Sequence, residues 1–468
     1  MADTSPHRIL EDLWSLAGLR PATMGEVTLT GSEPALPSSF RIGAAAQACI
    51  AATTAAVSAL HRARGGPAQT ARVDMRHAAL EFLSERYLAL DSGDAGARWD
   101  SVAGTYRAGG RWVRLHTNFP HHRDGMLALL GCEGTRAAVA TALADRDAFA
   151  FETAAAEAGL CASAMRSFAE WDAHPQGQAV AGLPALRLDR IGDAPARPLP
   201  PAADRPLAGL RVLDLTRVIA GPVCGRTLAA HGADVLHVSA AHLPSFDELI
   251  VDTGRGKRTA ALDLRQAEGR AALHALAATA DVFLQGYRPG AIAGRGFAPT
   301  ELAARNPGII CTSLSAYGEV GPWGGRRGFD SLVQTASGFN HAEAIAAGAD
   351  PADPEPKVLP CQALDHASGY LLAFGTLAAR LRQAEEGGSW LVRVSLAGTG
   401  RWLRGLGRLE HGFAAEVPEM AGMGDLLEVT QSGFGRLTAL RHAGQLSQTP
   451  PFWALPAVPL GTHEPGWA

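Results

Sequence analysis

The chain has 468 residues, 47% of them apolar, with 42 Lys and Arg against 46 Asp and Glu. That length exceeds one ordinary domain, and the apolar share excludes a globally disordered chain. A net charge of −4 without a Lys/Arg-rich stripe argues against nucleic acid as a partner. No apolar run is expected to reach membrane-spanning length, so no membrane partner is expected either. The N-terminal "MADTSPHRILEDLW" lacks the charged-then-apolar pattern of a secretory leader. The six cysteines are scattered, with no CxxC pair. They read as reduced, mostly buried thiols, and a cytoplasmic location is expected.

In chain order, residues 43–66, "GAAAQACIAATTAAVSALHRARGG", predict an Ala-rich helix whose apolar face must be buried. It leads into the short strand "ARVDM". Residues 84–191 read as a smaller α/β unit, with a strand in "GRWVRLHTNF" (110–119) and helices after it. Its "LHTNFPHHRDG" is His-rich but lacks a nearby carboxylate pair, so it reads as loop and no metal site is expected. Residues 192–209 contain five prolines and read as a linker.

After the linker the pattern becomes regular. Strands are predicted in "LRVLDL" (210–215), "ADVLHV" (233–238), "DVFLQGY" (281–287) and "GIICTSLSAYG" (308–318), and helices in 220–232 and 266–280. This alternation predicts an α/β fold: a doubly wound, Rossmann-like parallel sheet plus the smaller α/β domain. Ligands of such sheets bind beyond the strand carboxyl ends. The turns "TRVIAGP", "GRGKR" and "QGYRPG" are therefore expected on one rim.

"ALDHASGYLLAFGTLAARL" (363–381) places Asp365 at the start of a long, nearly uncharged apolar stretch. It reads either as a helix cap or as a nucleophile beside apolar surface. Residues 365–388 also run parallel to 43–66, with Gly43 in the place of Asp365, and enter a strand at "VRVSL" as the first copy does at "ARVDM". Cys361 lies four residues before Asp365, with no His placed in sequence to activate it.

From 207 to about 400 the sequence resembles the family III CoA-transferases, the CaiB/BaiF family. The phrases that carry this are "PLAGLRVLDLTRVIAGPVCGRTLAAHGADVLHV", "TGRGKRTAALDLR", "ADVFLQGYRPGAIAGRGF", "SLSAYGEVGPWGGRRGFDSLVQTASG" and "ALDHASGYLLAFGTLAARL", in family order. The resemblance implies that Asp365 is the nucleophile and forms aspartyl anhydride and aspartyl-CoA intermediates. Amides of Ala367, Ser368 and Gly369 are expected near the developing oxyanion. CoA contacts are implied at Arg217, Val218, Ala220, Lys257, Arg258, Gly286, Tyr287, Arg288 and Arg295, with Tyr287 stacked on adenine. No permanently bound cofactor is implied; coenzyme A and acyl-CoA are substrates, and a carboxylic acid is the acceptor.

The sequence departs from the family in three places. "VLHVSAAHLPSF" lacks the usual Arg, Gly286 replaces an Asn, and Arg295 comes one position late. The implied organisation is atypical, as if permuted or fused. It comprises a degenerate large-domain-like segment (1–83), the small domain (84–191), the linker (192–209), the large domain (210–400) and a C-terminal extension packing on it (401–468). A homodimer or an intrachain pseudo-dimer would complete the site. The alternatives are an acyl-CoA racemase or isomerase of the same family, which Phe329 in "RRGFD" disfavours, and a non-catalytic CoA-binding protein.

Overall fold

The computed structural model describes residues 4–91, 93 and 99–468. Its centre is a seven-stranded sheet of β1 (Arg187–Gly192), β2 (Arg211–Leu215), β3 (Asp234–Ser239), β4 (Lys257–Ala261), β5 (Val282–Gln285), β6 (Ile310–Ser315) and β7 (Ser389–Ser395). The order is β4-β3-β2-β5-β6-β7-β1. All pairings are parallel except that of β1 with β7. Val212, Leu213, Val235, Leu236, Phe283, Leu284 and Ile310 are all buried. Such continuous apolar runs suit strands covered on both faces. One face carries Leu273, Leu276, Phe297 and Leu302. The other carries the main core.

That core is organised by α1 (Ile42–Ala63) and α5 (Ala363–Glu386), the two segments that run parallel in sequence. They pack side by side, and Thr53 Oγ1 in α1 donates to the Tyr370 carbonyl of α5 at 3.0 Å. Trp14 meets Phe374 with ring centroids 5.7 Å apart. Leu371, Leu372, Phe374 and Leu377 are fully buried, each contributing about 1.5–3 kcal/mol of transfer free energy. Contrary to the sequence expectation, α1 is long and apolar enough to cross a membrane by length and composition, yet it is enclosed within the fold. Its small residues let it lie against α5, and this apolar burial explains its hydropathy.

α1 joins the parallel strands Val27–Thr30 and Ala71–Asp74, giving the N-terminal segment a βαβ unit of its own. The antiparallel strands Gly104–Ala108, Arg111–Leu115 and Ala162–Ala164 form the small sheet, whose core includes Val113, Met126, Val139 and Phe151. Residues 187–191, placed in the small unit from sequence, and Gly192, placed in the linker, instead extend the large sheet as β1. The 401–468 segment packs on the large domain, where Arg255 donates to the Leu440 carbonyl at 2.7 Å and Trp453 to the Arg226 carbonyl at 3.0 Å, and it also pairs with the N-terminal part. Leu427–Ser432 and Gly435–Leu440 form a hairpin that pairs with Leu88–Leu90, and Gln445–Leu446 pairs with Ala71–Asp74. Only its last part reaches β4, where the Gly466 carbonyl accepts from Arg258 and His463 bonds Thr259. Edge strands have unpaired backbone groups, and these distant segments satisfy them. No helix or strand occurs in 193–209; Pro200, Pro201 and Pro206 carbonyls there accept from Arg64 at 3.0, 2.9 and 2.6 Å.

Candidate active site

After β2 the chain builds outward through β3 and β4, then crosses back to lay β5 on the other side of β2. The sheet order reverses between β2 and β5, and the crevice at their carboxyl ends is where ligands bind in such sheets. A cavity lies there. Arg217, Val218 and Ala220 reach it from the turn after β2, and Gly286, Tyr287 and Arg288 from the turn after β5. Val218 has φ 73°, the only left-handed non-glycine residue among those described. A β-branched residue is strained there, and such strain concentrates at functional sites. It redirects the chain into α2 (Ala220–Ala230), whose N-terminus has no side-chain cap. Uncapped first-turn N–H groups favour an anion. Gln285 fixes the other turn by accepting from the Tyr287 amide at 2.9 Å.

Asp365 lies in the first turn of α5, 8% exposed, and lines the same cavity. It also lines an inner chamber with Glu85, His116, Phe246, Phe329 and Asp330. The cap reading of Asp365 fails. Asp330, at the start of α4 (Asp330–Ala336), accepts the amides of Leu364 at 2.8 Å and Asp365 at 2.9 Å. The carboxylate that caps α5 therefore comes from a different helix. Burial pushes the Asp365 carboxyl well above its ordinary range, and the neighbouring Asp330 and Glu85 push it further. Burial likewise raises Asp330 to about 6.

The amides expected to stabilise an oxyanion are corrected. The helical bonding of α5 begins with His366 N–H to Gln362, and residues 367–369 follow inside the helix, so their N–H groups are committed along its axis. Gly369 has a packing role: a Cβ there would stand 2.6 Å from the Ala220 carbonyl, so Gly lets α5 press against α2. The uncapped start of α2, which lines the cavity at Ala220, is the better-placed donor.

Three expected CoA contacts lie off this cavity. The "GRGKR" turn enters β4 rather than leaving it, and Lys257 pairs in register with Val235 near the start of β3. It therefore occupies the opposite rim from the other two turns. Lys257 is 2% exposed and donates to Asp214 at 2.8 Å and to the Pro222 carbonyl at 2.8 Å. Arg258 holds Asp234 at 2.8 and 3.1 Å. Arg295 donates to the Leu264 carbonyl at 3.0 Å.

Other charged groups line the cavity. Arg326 and Arg327, present in the quoted "GGRRGFD" but not singled out from it, line the cavity. Burial and the adjacent Arg288 guanidinium pull Arg327 below the usual arginine range. Crowded cations of this kind suit a polyanion. The small unit supplies Phe119, His121 and His122 to the same cavity and His116 to the inner chamber. Arg217 stacks over Phe119 at 4.8 Å, and His116 stacks on Phe329 with centroids 3.8 Å apart. Burial, with Arg114 and His122 nearby, lowers His116 to about 3. Burial, with His121, Arg327 and Arg217, lowers His122 to about 4. Both imidazoles are thus neutral at pH 7. The His-rich segment is therefore part of the site wall, although its spacing alone reads as loop. Among the described residues no cluster of three or more His, Cys, Asp or Glu is arranged to hold a metal. Cys361 is buried, with its thiol raised well above the ordinary value by desolvation. Were the cavity to hold the acyl-CoA that the sequence resemblance implies, Arg327→Ala would raise KM about tenfold with little change in kcat, measured by initial rates.

A doubly wound α/β protein with a cation-lined cavity at its switch point and a buried carboxyl at its base is the class defined by these features. Residues 207–432 match the model of CoA-transferase family III. A probable fatty acyl-CoA transferase of Mycobacterium tuberculosis is 35% identical over 205 residues, covering 41% of this chain and 50% of that protein. An acetyl-coenzyme A transferase of Hypoxylon pulicicidum is 35% identical over 208 residues, covering 44% and 34%. The succinate–glutarate CoA-transferase of Agrobacterium fabrum is 36% identical over 152 residues, covering 29% and 38%. The crystal structure of a CaiB/BaiF family protein from Brucella suis aligns with TM-score 0.38 and 25% identity, covering 50% of this chain and 65% of that one. The chain spans half or less of the length of these curated relatives.

Proposed function

We propose that this chain transfers coenzyme A between an acyl-CoA thioester and a carboxylic acid, with Asp365 as the nucleophile. The observation that carries this reading is a buried carboxyl in the first turn of α5 that caps nothing and faces the switch-point cavity. An Asp365 oxygen attacks the thioester carbonyl; the C–S bond breaks and coenzyme A leaves as thiolate. The thiolate then attacks the aspartyl carbonyl of the mixed anhydride and releases the first acid as its carboxylate. The acceptor carboxylate attacks the aspartyl-CoA thioester, expelling thiolate once more. Thiolate attack on the acceptor side of the second anhydride gives the new thioester and restores Asp365. Each step exchanges one acyl bond for another, which is the advantage of covalent catalysis here. Burial keeps water from the anhydrides.

In this reading Arg217, Arg288, Arg326 and Arg327 meet the phosphates, and Tyr287 offers a ring face to adenine. The small unit of the same polypeptide closes the cavity, which supports an intrachain pseudo-dimer with a single site. Its second central helix has Gly43 in the place of Asp365, and Glu33 accepts the Ala44 amide there at 2.7 Å. The six free cysteines support a reducing, cytoplasmic setting. Incubation with a panel of acyl-CoA thioesters and hydroxylamine, followed by peptide mass spectrometry, is expected to yield a hydroxamate at Asp365. No adduct at this residue with any thioester would count against the covalent route.

A further inference from the structure

Glu85 comes from the short turn Ser84–Arg86, far in sequence from the large sheet. It is 8% exposed and lines the inner chamber with Asp365. His366, the residue after Asp365, has a fully buried ring and bonds Glu85 Oε2 through Nε2 at 3.0 Å. The support beneath this turn is rigid. Ser84 Oγ donates to Asp252 at 2.7 Å and accepts from Arg226 at 3.0 Å, inside a buried charge network that also includes Arg255. Glu85 is thus held in place from two sides. A buried carboxylate kept beside two others, Asp330 and Asp365, opposes folding, and groups of this kind persist where function needs them.

We propose that Glu85 is a positioning residue of the transfer site: held by His366 and flanked by Arg86, whose Nε lies 3.6 Å from Glu85 Oε1, it sets its carboxylate facing the Asp365 carboxyl across the inner chamber. This rests on Asp365 being the nucleophile. While Asp365 is ionised, the paired charges reject a free carboxylate from the chamber. Once Asp365 carries coenzyme A as a thioester, one of these charges is gone and the acceptor acid can enter. The order of the two half-reactions then follows from electrostatics.

The charged and titratable groups facing Asp365 can be assigned to their elements. Asp330 belongs to α4, and Glu248 to α3 (Asp247–Thr253). Arg86 adjoins Glu85, and His116 comes from the small unit. Arg217 and Arg327 stand on the outer side. Of these, Asp330 and Glu85 raise the Asp365 carboxyl.

The test is a pH titration of the full chain labelled with 13C at aspartate side-chain carboxyls, with the Asp365 signal assigned by its loss in Asp365→Asn. Glu85→Gln retains an acceptor for His366 and is expected to move the Asp365 midpoint to lower pH. The acid limb of turnover should follow it. Glu85→Asp, which retains the charge, should titrate closer to the wild type. Should Glu85→Gln fail to fold, wild-type protein labelled at glutamate carboxyls serves instead. Its Glu85 signal should inflect at the Asp365 midpoint, and Asp365→Asn should abolish that inflection. Coincident Asp365 titrations in wild type and Glu85→Gln, or a Glu85 signal without that inflection, would overturn the proposal. The titration needs no turnover, so a chain inactive with every acyl-CoA would defeat the transferase reading while leaving the charge coupling measurable.

Discussion

Asp365→Asn is expected to lower turnover on the order of 10⁴-fold, because an amide cannot form the anhydride. The same variant should be more heat-stable than the wild type at neutral pH. The Asp365 carboxyl is raised in the fold by burial, Asp330 and Glu85. A raised carboxyl binds its proton more tightly when folded than when unfolded. Its contribution to stability is fully present below the unfolded value and declines as pH rises from there through the folded value. Above that window the ionised group costs stability, and Asn removes the cost. Differential scanning fluorimetry from pH 4 to 8 should therefore show a Tm gain that grows with pH, beside a rate assay that shows collapse. Undiminished turnover would eliminate the nucleophile role. A Tm difference that is flat with pH would refute the electrostatic cost. Such opposed effects are the usual mark of a site whose geometry is kept for chemistry rather than stability.

Lys257→Met is expected to destabilise the protein by about 3–5 kcal/mol, because it leaves the buried Asp214 carboxylate without its partner. Asp214 is fully buried. Burial alone would raise its carboxyl, yet Lys257, His237 and Thr216 together hold it below the ordinary value. Asp214 also shapes the functional turn by accepting the Thr216 amide at 3.0 Å. Lys257 thus supports the cavity from behind. Adding Asp214→Leu to Lys257→Met should recover much of the lost stability, since an apolar pair avoids the unpaired charge. Urea unfolding of both variants measures this. A Lys257→Met protein of normal stability but reduced CoA affinity would instead make Lys257 a phosphate ligand.

Local pattern by itself determined the α/β class and the position of most large-sheet strands. "VLDL", "VLHV" and "VFLQ" are short apolar runs between turns, and a strand buried on both faces requires that composition. The turns after β2 and β5 were equally readable, because their residues enter the crevice directly from strand ends. Asp365 stood out as a lone acid before an apolar helix, but its sequence alone allowed both a cap and a nucleophile. Only tertiary structure removed the cap reading, through Asp330, whose carboxylate accepts the Asp365 amide from 35 residues away. Which rim a turn occupies is likewise a matter of strand direction, and "GRGKR" looks the same whether it enters or leaves a strand. Nor could local sequence reveal that Lys257 meets Asp214, Arg258 meets Asp234, or Glu85 meets His366. Those pairs join separate elements, and the free energy that decides them lies in burial and charge pairing across the fold rather than in local backbone preference.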